Sequence, residues 1–175
     1  MLNKKGDIWV SAVLYFGLGI IVITLILAAG LPVINKLKDK NIAIQSKTVF
    51  HTLDKNIRDV LSGGPGTQKI VTLNIKKGEF KINAETDELI WEYKNSKIFL
   101  SEPDGSVVHD GNIEVITRRA TSKNNYDITL KLNYTILADI NPDVVGSVPT
   151  EPVLVSGLGD IVIKNGGLQD AAPEK

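Results

Sequence analysis

Between Asp7 and Lys36 the chain carries no charged residue. The run Ile8 to Ile34 is 27 residues long and is dominated by Ile, Leu, Val and Ala. A helix rises about 1.5 Å per residue, so about 20 residues cross the ~30 Å hydrocarbon core of a bilayer. The run is therefore long enough to cross once, with residues to spare. Trp9, Tyr15 and Phe16 lie toward its N-terminal end, where aromatic side chains favour the headgroup level. Lys4 and Lys5 flank one side, and Lys36, Lys38 and Lys40 the other, so charge alone leaves the orientation open. A cleaved secretory signal would have a shorter apolar region, of about 7–15 residues, before a small-residue cleavage site. Leu27-Ala28-Ala29-Gly30 looks like such a site, but the run is too long. An uncleaved signal anchor explains the hydropathy equally well.

The 175 residues are enough for one domain of ordinary size besides this segment. Lys plus Arg and Asp plus Glu each number 20, so the formal net charge is zero. No long-range field favours nucleic acid, and no basic patch is interleaved with aromatics. The absence of cysteine removes disulfides, iron–sulfur clusters, thiol catalysis and the usual structural zinc sites.

The helical pattern continues past the apolar run. From Asn35 to Ser62 an amphipathic stripe comprises Ile42, Ala43, Val49, Phe50, Leu53, Ile57, Val60 and Leu61, at spacings of three and four. Gly63-Gly64-Pro65-Gly66 ends the helix. Gly17, Gly19 and Gly30-Leu31-Pro32 are candidate weak points within it.

After Gly66 the apolar period switches to two. Val71, Leu73 and Ile75 predict a strand, Lys77-Gly78 a turn, and Phe80 and Ile82 the return strand. Leu89, Trp91 and Tyr93 predict the next strand. Asn95-Ser96 then turns into Ile98-Phe99-Leu100. Pro103-Asp104-Gly105 is a turn signal before Val107-Val108 and Ile113 to Ile116. From Tyr126 to Ile136, apolar residues alternate with Asp127, Thr129, Lys131, Asn133 and Thr135. One apolar and one polar face suit an antiparallel sheet packed on the helix stripe. Pro142, Pro149 and Pro152 mark a loop-like stretch. A last strand runs Val153 to Ile163, and Asn165 to Lys175 reads as a frayed tail. The fold class is α+β: a long N-terminal helix, with an apolar and an amphipathic half, then a small antiparallel β-sheet or β-sandwich.

Met1-Leu2-Asn3-Lys4-Lys5-Gly6-Asp7, a short basic leader ending in Gly before an apolar run, resembles the class III signal peptide of type IV prepilins and archaeal pilin-like proteins. The resemblance implies cleavage by a prepilin peptidase between Gly6 and Asp7, with Lys4 and Lys5 holding the leader at the cytoplasmic face. It implies that the apolar segment is retained as the first half of a long helix. That half anchors the subunit in the bilayer and later packs against like or related subunits. The implied organisation is a leader over 1–6, a transmembrane and assembly half over 7–34, an amphipathic half over 35–62, an extracytoplasmic β domain over 67–164 and a tail over 165–175. Ile8, Val13, Leu14, Leu18, Ile21 and Leu25 are the expected assembly face. The alternative is an uncleaved single-pass protein whose β domain binds a partner or ligand at the cell surface.

No catalytic constellation is present, and no enzymatic role, cofactor or metal is expected. His51 and His109 lie in different elements, and no His-Glu-x-x-His pattern or nucleophile elbow occurs. Gly63 to Lys69 is Gly-rich and ends in Lys, but it follows a helix and lacks phosphate-loop spacing. Asp139-Ile140-Asn141-Pro142-Asp143 opens like a calcium loop, with Val144 in place of the Gly of the sharp turn. Asn133-Tyr134-Thr135 is an N-glycosylation sequon, and alternation places Asn133 on the polar, accessible face.

Overall fold

The computed structural model describes residues 4–142 and 153–167, and the backbone alone of residues 4–8 and 153–156. Helix α1 (Lys4–Ser62) is followed by β1 (Gln68–Asn83), β2 (Glu88–Ser96), β3 (Asp104–Asp110), β4 (Ile113–Arg119), β5 (Tyr126–Asn133) and β6 (Val153–Lys164). The fold is α+β. All six strands join one antiparallel sheet in the order β3-β4-β5-β2-β1-β6. Of the two arrangements the strand pattern allowed, the single sheet is the one formed.

The chain divides into two compact units, Met1–Lys38 and Asp39–Lys175. In the first unit the helix continues through Gly17, Gly19, Gly30 and Pro32. A Cβ at any of these glycines would meet nothing within 4 Å.

In the second unit, Ala43, Phe50, Leu53 and Val60 are buried, and Ile42, Val49, Ile57 and Leu61 are half-buried. This is the stripe expected from the sequence. It packs on the apolar face of the sheet, where Leu73, Phe80, Trp91, Ile128, Leu130 and Leu132 are almost wholly enclosed. Phe50 meets Phe80 edge to face, with centroids 5.7 Å apart. Each such side chain contributes about 1.5–3 kcal/mol on burial. The opposite face is a charged ladder: Lys81 bonds Glu92 at 2.8 Å, and Lys131 bonds Glu88 at 2.7 Å.

Four local expectations are corrected. Lys77-Gly78 is not a hairpin turn but an irregularity within the single 16-residue strand β1. The Trp91 indole N–H donates to the Lys77 carbonyl at 2.9 Å, which holds the kink. Gly78 has φ +86°, and a Cβ there would lie 2.6 Å from the Glu92 carbonyl oxygen. Ile98-Phe99-Leu100 is irregular, because side chains take its backbone donors. Asp39 accepts from the Lys97 N–H at 2.7 Å, and the Thr117 hydroxyl accepts from the Leu100 and Ser101 N–H groups at 3.4 and 3.1 Å. Asn95-Ser96, read as a turn, belongs to the irregular end of β2, with Asn95 at φ 58°. Strand β5 stops at Asn133, because the Tyr134 N–H bonds the Asp87 carbonyl and Leu137 and Ala138 turn back onto Tyr134. Ile136 is consequently exposed.

Asn165, assigned to the tail, is instead tied in. It exchanges backbone bonds of 2.8 Å with Gly66 and Thr67. Its amide reaches the Val60 and Leu61 carbonyls at 3.3 and 3.4 Å, where a helix C-terminus leaves acceptors unpaired. Residues 168–175, like Pro149 and Pro152, lie outside the described residues.

Candidate functional site

The first candidate site is the apolar portion of α1. It is long and apolar enough to cross a membrane once, and its most apolar window has none of its residues buried. Val13, Leu14, Leu18, Ile21 and Leu25 are all more than half exposed, as are Trp9, Tyr15 and Phe16. At 100° per residue, Leu14, Leu18, Ile21 and Leu25 fall within about 60° of one another, while Ile8 and Val13 lie about 80° to either side. The Thr24 hydroxyl donates to the Ile20 carbonyl at 2.8 Å, so its polar group is satisfied inside the helix, as a hydrocarbon surrounding demands. Lys4, Lys5, Gly6 and Asp7 form the first turn of α1, and Met1 to Asn3 lie outside the described residues.

The second is the end of the sheet domain at Asp39. The Asp39 carboxylate is buried and doubly bonded. Tyr93 donates its hydroxyl to Oδ1 at 2.7 Å, and the Lys97 backbone N–H donates to Oδ2 at 2.7 Å. Burial, reinforced by this carboxylate, pushes the Tyr93 hydroxyl well above the ordinary tyrosine range. Tyr93 also stacks on Trp91, with centroids 5.8 Å apart. Further along the helix the device is repeated. Asp54 accepts from the Tyr134 hydroxyl at 3.0 Å and the Asn112 amide at 2.7 Å. Burial, then the Asp54 charge, raises the Tyr134 hydroxyl likewise. Asp39 was not singled out in the sequence, and Asp54 reads there, with Lys47, Lys55, Arg58 and Asp59, as facing away from the apolar stripe. The available signal was an Asp on the helix and a Tyr on the apolar face of a strand.

The other candidate residues are not gathered into a centre. His51 is exposed, with Nε2 3.5 Å from Asp110 Oδ2, and Lys47 pairs with the same carboxylate, holding it below the usual range. His109 is exposed on β3. Gly63 to Lys69 ends the helix, with Gly64 and Gly66 at positive φ. Lys69 bonds Asp59 at 2.6 Å, beside a shallow open groove of about 470 Å³ that His51 and Lys55 also line. Asp139 is exposed, and Asp143 and Val144 lie outside the described residues. Among the described residues no three His, Asp or Glu side chains are grouped to hold a metal. Asn133 is exposed at the end of β5, where its Oδ1 accepts from the Thr135 N–H at 3.0 Å and hydroxyl at 2.7 Å.

No family model, no curated protein and no solved structure matches the chain.

Proposed function

We propose that this chain is a structural subunit of a type IV pilus-like surface filament or pseudopilus, archaeal in style. In this reading it is held in the bilayer by residues 8–34 before assembly, with its sheet domain outside the cytoplasm. The observation that carries the reading is an apolar helix surface left exposed among the described residues, beginning directly after Lys4-Lys5-Gly6. An uncovered surface of this size requires lipid or other protein around it. A pilin-like subunit uses both in turn: lipid while it waits, and the helices of like subunits once assembled. A prepilin peptidase cuts between Gly6 and Asp7. The role is mechanical and adhesive, and no side chain acts as a catalyst.

N-terminal sequencing of the protein from its native membranes tests the reading. The expected mature start is Asp7, with filaments visible by electron microscopy. An intact Met1-to-Gly6 leader on the mature protein would overturn it. A second reading, an uncleaved anchored domain that binds a partner at the cell surface, is favoured by one residue. Ser11 stands at the fifth position from Asp7, where bacterial type IV pilins carry Glu. That reading expects the intact leader and no filaments.

A further inference from the structure

We infer that the Asp39 end of the sheet domain rests on the membrane, with Phe99, Lys97 and the 120–125 turn seated among anionic lipid headgroups. The inference rests on reading residues 8–34 as the membrane-spanning segment.

Reach comes first. Asp39 lies five residues beyond Ile34. Fully extended they span at most ~18 Å, and as helix about 7.5 Å. The headgroup layer itself is about 5–8 Å deep on each side. The bound on Asp39 follows from chain length alone. Asp39 in turn holds the Lys97 backbone at 2.7 Å, so the loop 97–103 is tied to the point where the chain leaves the bilayer.

The strand register then defines which parts of the domain share that end. Ser96 pairs with Tyr126, Arg119 with Tyr126, and Asp104 with Arg118. The far end holds Glu88 opposite Asn133 and Asp110 opposite Ile113. The two ends differ in charge. Residues 94–104 and 118–127 carry five cations against three anions. Residues 84–88, 110–112 and 134–142 carry five anions and no Lys or Arg. The domain is therefore polarised, with its cationic end on the Asp39 side. Cations near an anionic leaflet are attracted within about a Debye length of its surface.

The tip has the matching shape and chemistry. Phe99 is 56% exposed and braced edge to face by Tyr126, with centroids 5.3 Å apart. Lys97 Nζ bonds Asn125 Oδ1 at 2.6 Å, which joins the two loops into one surface. An exposed aromatic ring at a domain end that carries an excess of Lys and Arg is the pairing that favours the bilayer interface: the ring enters the acyl boundary and the cations meet phosphate.

Because the chain lacks cysteine, single cysteines can be spin-labelled in the full-length protein. Labels at Val22→Cys, Thr121→Cys and Glu85→Cys are read in vesicles of phosphatidylglycerol and phosphatidylcholine, by accessibility to oxygen and to a water-soluble nickel chelate. The expected result places label 22 in the hydrocarbon and label 85 in water, with chelate access at label 121 several-fold below that at label 85. Adding Phe99→Ser and Lys97→Glu should return label 121 to water without moving label 22. If label 121 is as wet as label 85 while label 22 lies in the bilayer, the inference fails and the anchor reading stands. Equal shielding on phosphatidylcholine alone would overturn anionic headgroups as the ligand. Label 22 in water would overturn the anchor reading, and this inference with it.

Discussion

Residues 9–34 and residues 39–62 belong to one helix, yet they are built for different surroundings. The first stretch is apolar, and none of the residues in its most apolar window is buried among the described residues. The second confines its apolar residues to one stripe, with Lys55 and Arg58 exposed away from it. Both stretches handle threonine the same way. Thr24 donates to the Ile20 carbonyl, and Thr48 and Thr52 donate to the carbonyls of Ile44 and Thr48. Backbone hydrogen bonding is thus alike in both, and side-chain distribution alone separates a segment with its apolar surface exposed from one that packs on a sheet.

Four experiments press on that difference. Deleting residues 8–34 should abolish flotation of the protein with vesicles while leaving the thermal unfolding of the sheet domain unchanged. A domain that melts earlier without the segment would mean that the two stretches are energetically coupled. Next in size are paired truncations. Phe50→Ala should cost about 3–5 kcal/mol in urea unfolding, because the ring is fully enclosed. Phe16→Ala, 72% exposed, should change domain stability by less than about 0.5 kcal/mol. Similar losses at the two sites would erase the distinction.

Asp39→Ala should cost about 2–4 kcal/mol, since it strips partners from the Tyr93 hydroxyl and the Lys97 N–H. A double-mutant cycle with Tyr93→Phe should return a coupling of about 1 kcal/mol, and additive effects would show that the bond contributes nothing. The smallest effect is on pH dependence. Tyr93 and Tyr134 have hydroxyls raised above the ordinary value of 10 by burial and by Asp39 and Asp54. The unfolded chain releases these protons first, so the stabilisation is complete below about pH 10 and is lost as pH rises further. Each tyrosine should contribute at most about 1.4 kcal/mol of lost stability per pH unit in that range. The Tyr93→Phe/Tyr134→Phe variant should flatten the alkaline limb, and an unchanged limb would sink the assignment.

What could be read from the sequence follows the same line. Periodicity carried the helix stripe, the apolar segment and most strands, because burial on one face leaves a regular trace at spacings of two, three or four. It failed where a single contact overrides the local pattern. Lys77-Gly78 has the residues of a turn, but Trp91 holds it open as a kink. Ile98 to Leu100 has the residues of a strand, but the Ser96 and Thr117 hydroxyls occupy the N–H groups of Ile98 and Leu100. The apolar segment was legible in full, and the Asp39 contact was not. Its partner Tyr93 lies 54 positions away, and no pattern within α1 marks Asp39 apart from its exposed neighbours.

The pairing of β1 also sets a timetable. Its first half, Gln68 to Ile75, is bonded only to β6, whereas β2 takes only Glu79 to Asn83. Synthesis delivers β6 and Asn165 after the other five strands, so until then Val71, Leu73 and Ile75 have no neighbouring strand and the last turn of α1 lacks its amide cap. Long-range pairing of this kind is slow to form and leaves an open strand edge in the interim. The domain is therefore completed in one late step, and β6 acts as the fastener that ends the vulnerable interval.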